Sequence, residues 1–204
     1  MRFGIIGLGR IGGNLSVQAM EKGYHVVGYS KSNEELKALS SKGLEASFSI
    51  KDLVEKLDSP RIVFLYVPQG EPLSGVCDEI KNYLQSGDIL IDGGNSHWKE
   101  SAIRAEEFKK VGVYFLDCGT SGGLEGARNG VCFMVGGDQK AYKIVEPIFR
   151  DLAVSDGCVY VGPAGAGHFT KLIHNAIEFG MLQAIGEGVA MLEASDYKID
   201  IAQL

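Results

Sequence analysis

The strongest constraint on this chain lies near its start, in Gly7-Leu8-Gly9-Arg10-Ile11-Gly12. The run matches G-x-G-x-x-G. It follows a short apolar segment (residues 2–6) and opens a segment of helical character (residues 12–22). At such a strand-to-helix turn each glycine has a physical reason. The first permits the tight turn, the second lets backbone approach a pyrophosphate, and the third lets helix and strand pack closely. The helix N-terminus then offers free N–H groups and a partial positive charge to phosphate. These six residues are therefore expected to bind a dinucleotide.

The rest of the chain repeats the alternation. Apolar runs at residues 24–29, 61–67, 88–91, 113–118, 131–137 and 158–161 read as strands. Segments 33–42, 50–57, 72–84, 98–110 and 139–150 read as helices between them, and 119–130 reads as a glycine-rich loop. The run 61–67 is continuously apolar, as a strand buried on both faces should be. Alternating strands and helices predict an α/β fold: a Rossmann-like, doubly wound, mostly parallel sheet with a β-extension. We assign residues 1–163 to this dinucleotide-binding domain. From Ala164 a long helix runs to about Ala194, with apolar residues on most of its faces. Such a helix expects partners all round. Residues 164–204 are accordingly expected to begin an all-helical second domain that is missing from this chain or supplied by another.

Composition narrows the class. The net charge is -6, so no global attraction to nucleic acid or to an anionic membrane is expected. No apolar run approaches the roughly 20 residues of a membrane-spanning helix. The N-terminus shows none of the marks of a signal peptide, and a cytoplasmic location is expected. Cys77, Cys118, Cys132 and Cys158 are irregularly spaced with no C-x-x-C pair, which suggests neither a zinc site nor a disulfide framework.

Cofactor choice is read at the end of the second strand, where an acidic residue would bond the ribose 2′-hydroxyl of NAD. The residues there are Tyr29-Ser30-Lys31-Ser32. With one cation and two hydroxyls and no carboxylate among them, Ser30, Lys31 and Ser32 favour NADP, with NAD possible. Val67, closing the strand 61–67, is assigned to the same cofactor site. Chemistry is expected on the long helix. Lys171, His174, Asn175 and Glu178 follow one another at i, i+3, i+4 and i+7 and share one face. A polar stripe on a mostly apolar helix is unfavourable unless it lines a cavity or pairs internally. Two strand-end loops, Asp92-Gly93-Gly94-Asn95-Ser96 and Gly119-Thr120-Ser121-Gly122-Gly123, offer N–H groups and short polar side chains for a carboxylate or hydroxyl.

Taken together, these blocks resemble the 6-phosphogluconate dehydrogenases. The carriers are the glycine motif, Ile91 to Ser96, Ser121 to Arg128, and Gly165-Ala166-Gly167-His168-Phe169-Thr170-Lys171 running into His174-Asn175 and Glu178. The broader β-hydroxyacid dehydrogenases share the glycine motif, the Ser-Gly-Gly loop and a lysine followed four residues later by asparagine. The resemblance implies that Lys171 is the general base and Glu178 the acid that protonates C1. It implies that Asn95, Ser121, Gly122, Gly123, His174 and Asn175 hold a sugar-acid substrate, with Asn95 also near the cofactor. It further implies no metal and a homodimer or higher homo-oligomer. The family often has tyrosine after the glutamate; here Phe179 removes a hydroxyl expected near the substrate phosphate. Two other readings remain open: a dehydrogenase of small unphosphorylated β-hydroxy acids, and a non-catalytic NADP-binding module.

Overall fold

A computed structural model describes residues 1–204. In chain order the elements are β1 (Arg2–Ile6), α1 (Arg10–Glu21), β2 (His25–Tyr29), α2 (Asn33–Ser40), β3 (Glu45–Ala46), α3 (Ile50–Glu55), β4 (Ile62–Leu65) and α4 (Glu71–Ile80). There follow β5 (Ile89–Asp92), α5 (Trp98–Lys109), β6 (Tyr114–Ser121), α6 (Gly123–Asn129), β7 (Val131–Gly137), α7 (Gln139–Leu152), β8 (Ala153–Gly162) and α8 (Ala166–Glu193). The eight strands form one sheet in the order β3-β2-β1-β4-β5-β6-β7-β8. All neighbours are parallel except β6 and β7. The order reverses at β1, which lies between β2 and β4. In open α/β sheets ligands bind beyond the carboxyl ends of the strands at such a switch point.

Strand periodicity explains why both faces are covered. Successive side chains point to opposite faces, so Phe3 and Ile5 of β1 enter one core while Ile6 enters the other. Phe64 and Ile91 join the first core, Leu65 and Leu90 the second. The first core is closed by Leu15 of α1 and Phe149 of α7, the second by Leu53 of α3, Ile80 of α4 and Phe108 of α5. Phe149 meets Phe64 edge to face (centroids 5.6 Å apart) and Phe133 at a tilt (4.9 Å), which ties β4, β7 and α7 together.

Two expectations need correction. Residues 119–130 are not a loop. Pairing with β7 carries β6 on through Thr120 and Ser121, and the helix α6 follows. Gly122 (φ 135°) and Gly123 (φ 60°) make that abrupt change of direction possible. The last strand is ten residues long, not the short run 158–161, because β8 first pairs with β7 at Ala153 and, after an irregularity over residues 154–157, again from Cys158. The two-residue β3 was not foreseen.

The chain forms two compact units, Met1–Thr170 and Lys171–Leu204. The second holds the remainder of α8 and a short 3-10 turn at Ile201–Gln203. Its apolar side chains stand exposed, among them Ile177, Phe179, Met181 and Ile185. No helix is long and apolar enough to cross a membrane.

Candidate active site

The glycine motif forms a cradle. Gly7 has φ +93° and donates its N–H to Tyr29 O (2.9 Å), and a Cβ there would stand 2.3 Å from Tyr66 O. A Cβ on Gly12 would meet Gly7 O at 2.0 Å, and one on Gly13 would meet Leu8 O at 2.6 Å. Gly9 differs: the nearest atom to its Cβ position is Glu35 Oε1, at 3.7 Å. Backbone is thus packed tight behind the motif and open in front of it. Gly9 is the N-cap of α1 with no side-chain cap, and the first turn holds no acidic residue. The positive end of the helix is left for a ligand. A hollow of about 340 Å³ lies here, lined by Gly7, Leu8, Gly9, Ser30, Lys31 and Val67 among others. These features fit a dinucleotide. Arg10, Ile11 and Gly12 form the first turn of α1. A larger hollow of about 450 Å³ involves Ser86, Lys109, Tyr114 and Gly137. It lies where β6 begins, away from the carboxyl ends of the parallel strands.

Beyond β2 the structure alters the reading of the cofactor segment. Ser32 is the N-cap of α2, its Oγ accepting from Glu35 N (3.3 Å). Ser30 Oγ donates to Glu35 Oε2 (2.7 Å) and accepts from Ser32 N (3.1 Å). The Ser30 proton is therefore committed to Glu35, the Ser32 hydroxyl serves as an acceptor with its own proton uncommitted, and the exposed Lys31 has no hydrogen bond or ion pair. Glu35 itself lines the hollow. Sequence reasoning missed this carboxylate; the signal was the Ser32-x-x-Glu35 spacing of a capping box.

The strand-end loops gather on the same carboxyl edge. Gly93 lies on the Tyr66 ring, where a Cβ would meet Cζ at 2.6 Å. Thr120 Oγ1 donates to Gly93 O (3.3 Å) and lies 3.5 Å from Tyr66 Oη. Buried Asp92 accepts from Gly94 N (3.0 Å) through Oδ1, while its Oδ2 and the Ser96 hydroxyl are buried without a partner. Burial pushes the Tyr66 phenol far up, so it remains a neutral hydroxyl. Asn95, Gly122 and Gly123 are exposed and Ser121 is half-buried, so all four are accessible.

The start of α8 is pinned by Asp117. This fully buried carboxylate accepts from Gly165 N (2.6 Å) and His168 N (2.8 Å), while Ser101 Oγ lies 2.8 Å from His168 Nδ1. Packing accounts for the small residues here, since a Cβ on Gly167 would meet Asp117 O at 2.4 Å. Asp117 was not singled out from sequence, because the contact spans 48 residues.

Further along α8 the predicted stripe is internally bonded. Lys171 Nζ donates to Asn175 Oδ1 (2.7 Å), and His174 Nδ1 lies 3.2 Å from the same oxygen. His174 Nδ1 also lies 3.8 Å from Glu178 Oε2, with both side chains substantially exposed. An amine, an imidazole, an amide and a carboxylate thus form one connected row along a helix face.

The family described as the NAD binding domain of 6-phosphogluconate dehydrogenase matches residues 2–162. YqeC of Bacillus subtilis (strain 168), provisionally named a 6-phosphogluconate dehydrogenase, is 46% identical over 98% of this chain and 67% of its own length. The NAD(+)-dependent, decarboxylating 6-phosphogluconate dehydrogenase of Haloferax volcanii is 39% identical, with the same two coverages. Among solved structures, the Plasmodium falciparum 6-phosphogluconate dehydrogenase, studied with NADP+ and with 6-phosphogluconate, superposes with a TM-score of 0.88 at 32% identity. That match covers 95% of this chain and 44% of the Plasmodium chain. The chain therefore spans about two thirds of its first two relatives and less than half of the Plasmodium enzyme.

Proposed function

Because the chain belongs to the 6-phosphogluconate dehydrogenase family, we propose that the protein oxidises and decarboxylates 6-phosphogluconate to ribulose 5-phosphate and CO2. The observation that carries this reading is the bonded row Lys171, His174, Asn175 and Glu178 on α8. A dinucleotide held by Gly7 to Gly12 supplies the hydride acceptor for C3. Lys171 takes the proton of the 3-hydroxyl as C3 is oxidised. Its hydrogen bond to Asn175 aims the amine and leaves nitrogen donors to polarise the resulting ketone. The 3-keto acid then loses CO2 and the electron pair of that C–C bond forms an enediol, whose oxygen recovers the proton from Lys171. Glu178 delivers a proton to C1. Asn95, Ser121, Gly122, Gly123, His174 and Asn175 hold the sugar acid. The hydride acceptor is a nicotinamide dinucleotide, NADP or NAD: of the three residues that favoured NADP in the sequence, Ser30 donates to Glu35 and Ser32 accepts from Glu35 N, which leaves Lys31 as the main support for NADP. We further propose a homodimer or higher homo-oligomer, acting in the cytoplasm.

The test is absorbance growth at 340 nm with 6-phosphogluconate, offering NADP and NAD separately to the full-length protein. Growth that falls by about 10²–10⁴-fold in Lys171→Ala is expected for loss of a general base. Growth with a small unphosphorylated hydroxy acid, and none with 6-phosphogluconate, would overturn the substrate assignment.

A further inference from the structure

We propose that Glu35 sets cofactor choice and makes the hollow at Gly7–Gly12 favour NAD over NADP, by presenting a carboxylate oxygen to the ribose 2′ position. The inference rests on the dinucleotide reading of that hollow and is independent of the substrate assigned above.

The local hydrogen bonds turn this carboxylate toward the cofactor. In a complete capping box the Ser32 side chain would accept from Glu35 N, and the Glu35 carboxylate would reach back to Ser32 N. Only the first half is made. Ser32 N goes to Ser30 Oγ instead (3.1 Å), and Ser30 Oγ donates to Glu35 Oε2 (2.7 Å). The carboxylate is thereby drawn to the end of β2. Its other oxygen, Oε1, accepts no hydrogen bond from the chain. It lies 3.7 Å from the Cβ position of Gly9, at the open side of the cradle.

The chemistry of this corner discriminates. A ribose 2′-hydroxyl can donate to Oε1. A 2′-phosphate carries charge of the same sign and brings only acceptors. Of the two hydroxyls after β2, Ser30 lines the hollow and its proton is committed to Glu35, while Ser32 keeps its proton but is not among the residues lining the hollow. Lys31 is the one neighbouring cation on the hollow. It is exposed, so solvent screens its attraction more than it screens a half-buried carboxylate. The acidic residue that reads the 2′-hydroxyl usually closes the second strand. Here it arrives from the first turn of the following helix, three residues after the cap.

Binding rather than turnover tests this. Fluorescence titration of the full chain with NADH and NADPH gives two dissociation constants. NADH should bind at least tenfold more tightly. Glu35→Gln keeps an acceptor for Ser30 and removes the charge, so NADPH should tighten at least tenfold while NADH weakens. Adding Lys31→Ala to Glu35→Gln should reverse the gain for NADPH and leave NADH unchanged. An unaltered NADPH/NADH ratio in Glu35→Gln, with the melting temperature kept, would overturn the proposal, as would tighter NADPH binding by the unmodified chain. Failure to bind either dinucleotide would overturn the cradle reading and this one with it. Loss of 6-phosphogluconate turnover with the binding ratio intact would strike only the substrate assignment.

Discussion

Replacing Gly12 and Gly9 by alanine, one at a time, separates the two things the motif does. At Gly12 the new Cβ would stand 2.0 Å from Gly7 O, where ordinary contact begins near 3.4 Å. Neither side can give. Gly7 is held by its N–H bond to Tyr29 O and is backed by Tyr66 O. Helix α1 would have to lift, loosening fully buried Leu15 and Ala19. Overpacking of a core costs about 1–3 kcal/mol, and this site belongs at the upper end. For a chain of this size that lowers the melting temperature by roughly 6–12 °C. Gly9 has φ -66°, which alanine adopts without strain, and its Cβ would meet only Glu35 Oε1 at 3.7 Å. Gly9→Ala should therefore melt close to the parent yet bind NADH at least tenfold more weakly. Thermal melting by circular dichroism and NADH titration measure both. The sign at Gly12 is decisive, because alanine in a helix is otherwise favoured over glycine by about 1 kcal/mol. A Gly12→Ala variant that melts at or above the parent temperature would refute the steric reasoning. Parent affinity in Gly9→Ala would refute the cofactor path.

Two further outcomes follow from buried groups. Asp117→Ala strips the buried N–H groups of Gly165 and His168 of their acceptor, and each orphaned donor costs about 1–3 kcal/mol; denaturant melts should show the loss, and hydrogen exchange should place it at the start of α8. Burial pushes the Cys77 thiol up to about 12 and the Cys118 thiol well above its usual value. At pH 8 neither should react with iodoacetamide until guanidinium unfolds the chain. Because these groups hold their protons more tightly when folded, their contribution to stability is complete below about pH 9. It is lost as pH rises toward 12. A melting temperature that holds up to about pH 9 and falls beyond it is expected; one that rises there would contradict this.

Much of the fold was legible because burial on both faces leaves plain marks. Residues 61–67 and 88–91 could be read as strands, and Gly7 to Gly12 could be placed at the first strand-to-helix turn from position alone. The errors fell where local signals are weak. Helix α6 spans seven residues, two of them glycine, and read as a loop. In the first half of β8 only Ala153 pairs with β7 before the register shifts to Cys158, and residues 154–156 stand exposed, so no alternation marks it. The stripe on α8 was legible from helical spacing, but its internal bonding through Asn175 was not. Glu35 was passed over because its meaning depends on which half of a capping box forms. Asp117 was passed over because its partners lie far along the chain.

The placement of Glu35 has a consequence for how the gene can be altered. Cradle, helix terminus and the carboxylate proposed to read the 2′ position all fall between Gly7 and Glu35. The row from Lys171 to Glu178 is encoded some 400 nucleotides downstream, at three nucleotides per residue. The residues proposed to choose the coenzyme and those proposed to carry the chemistry are therefore written in separate stretches. If the proposed roles hold, exchanging the short cassette from Gly7 to Glu35 would retune the redox pool on which the protein draws, with the codons from Lys171 to Glu178 left as they are.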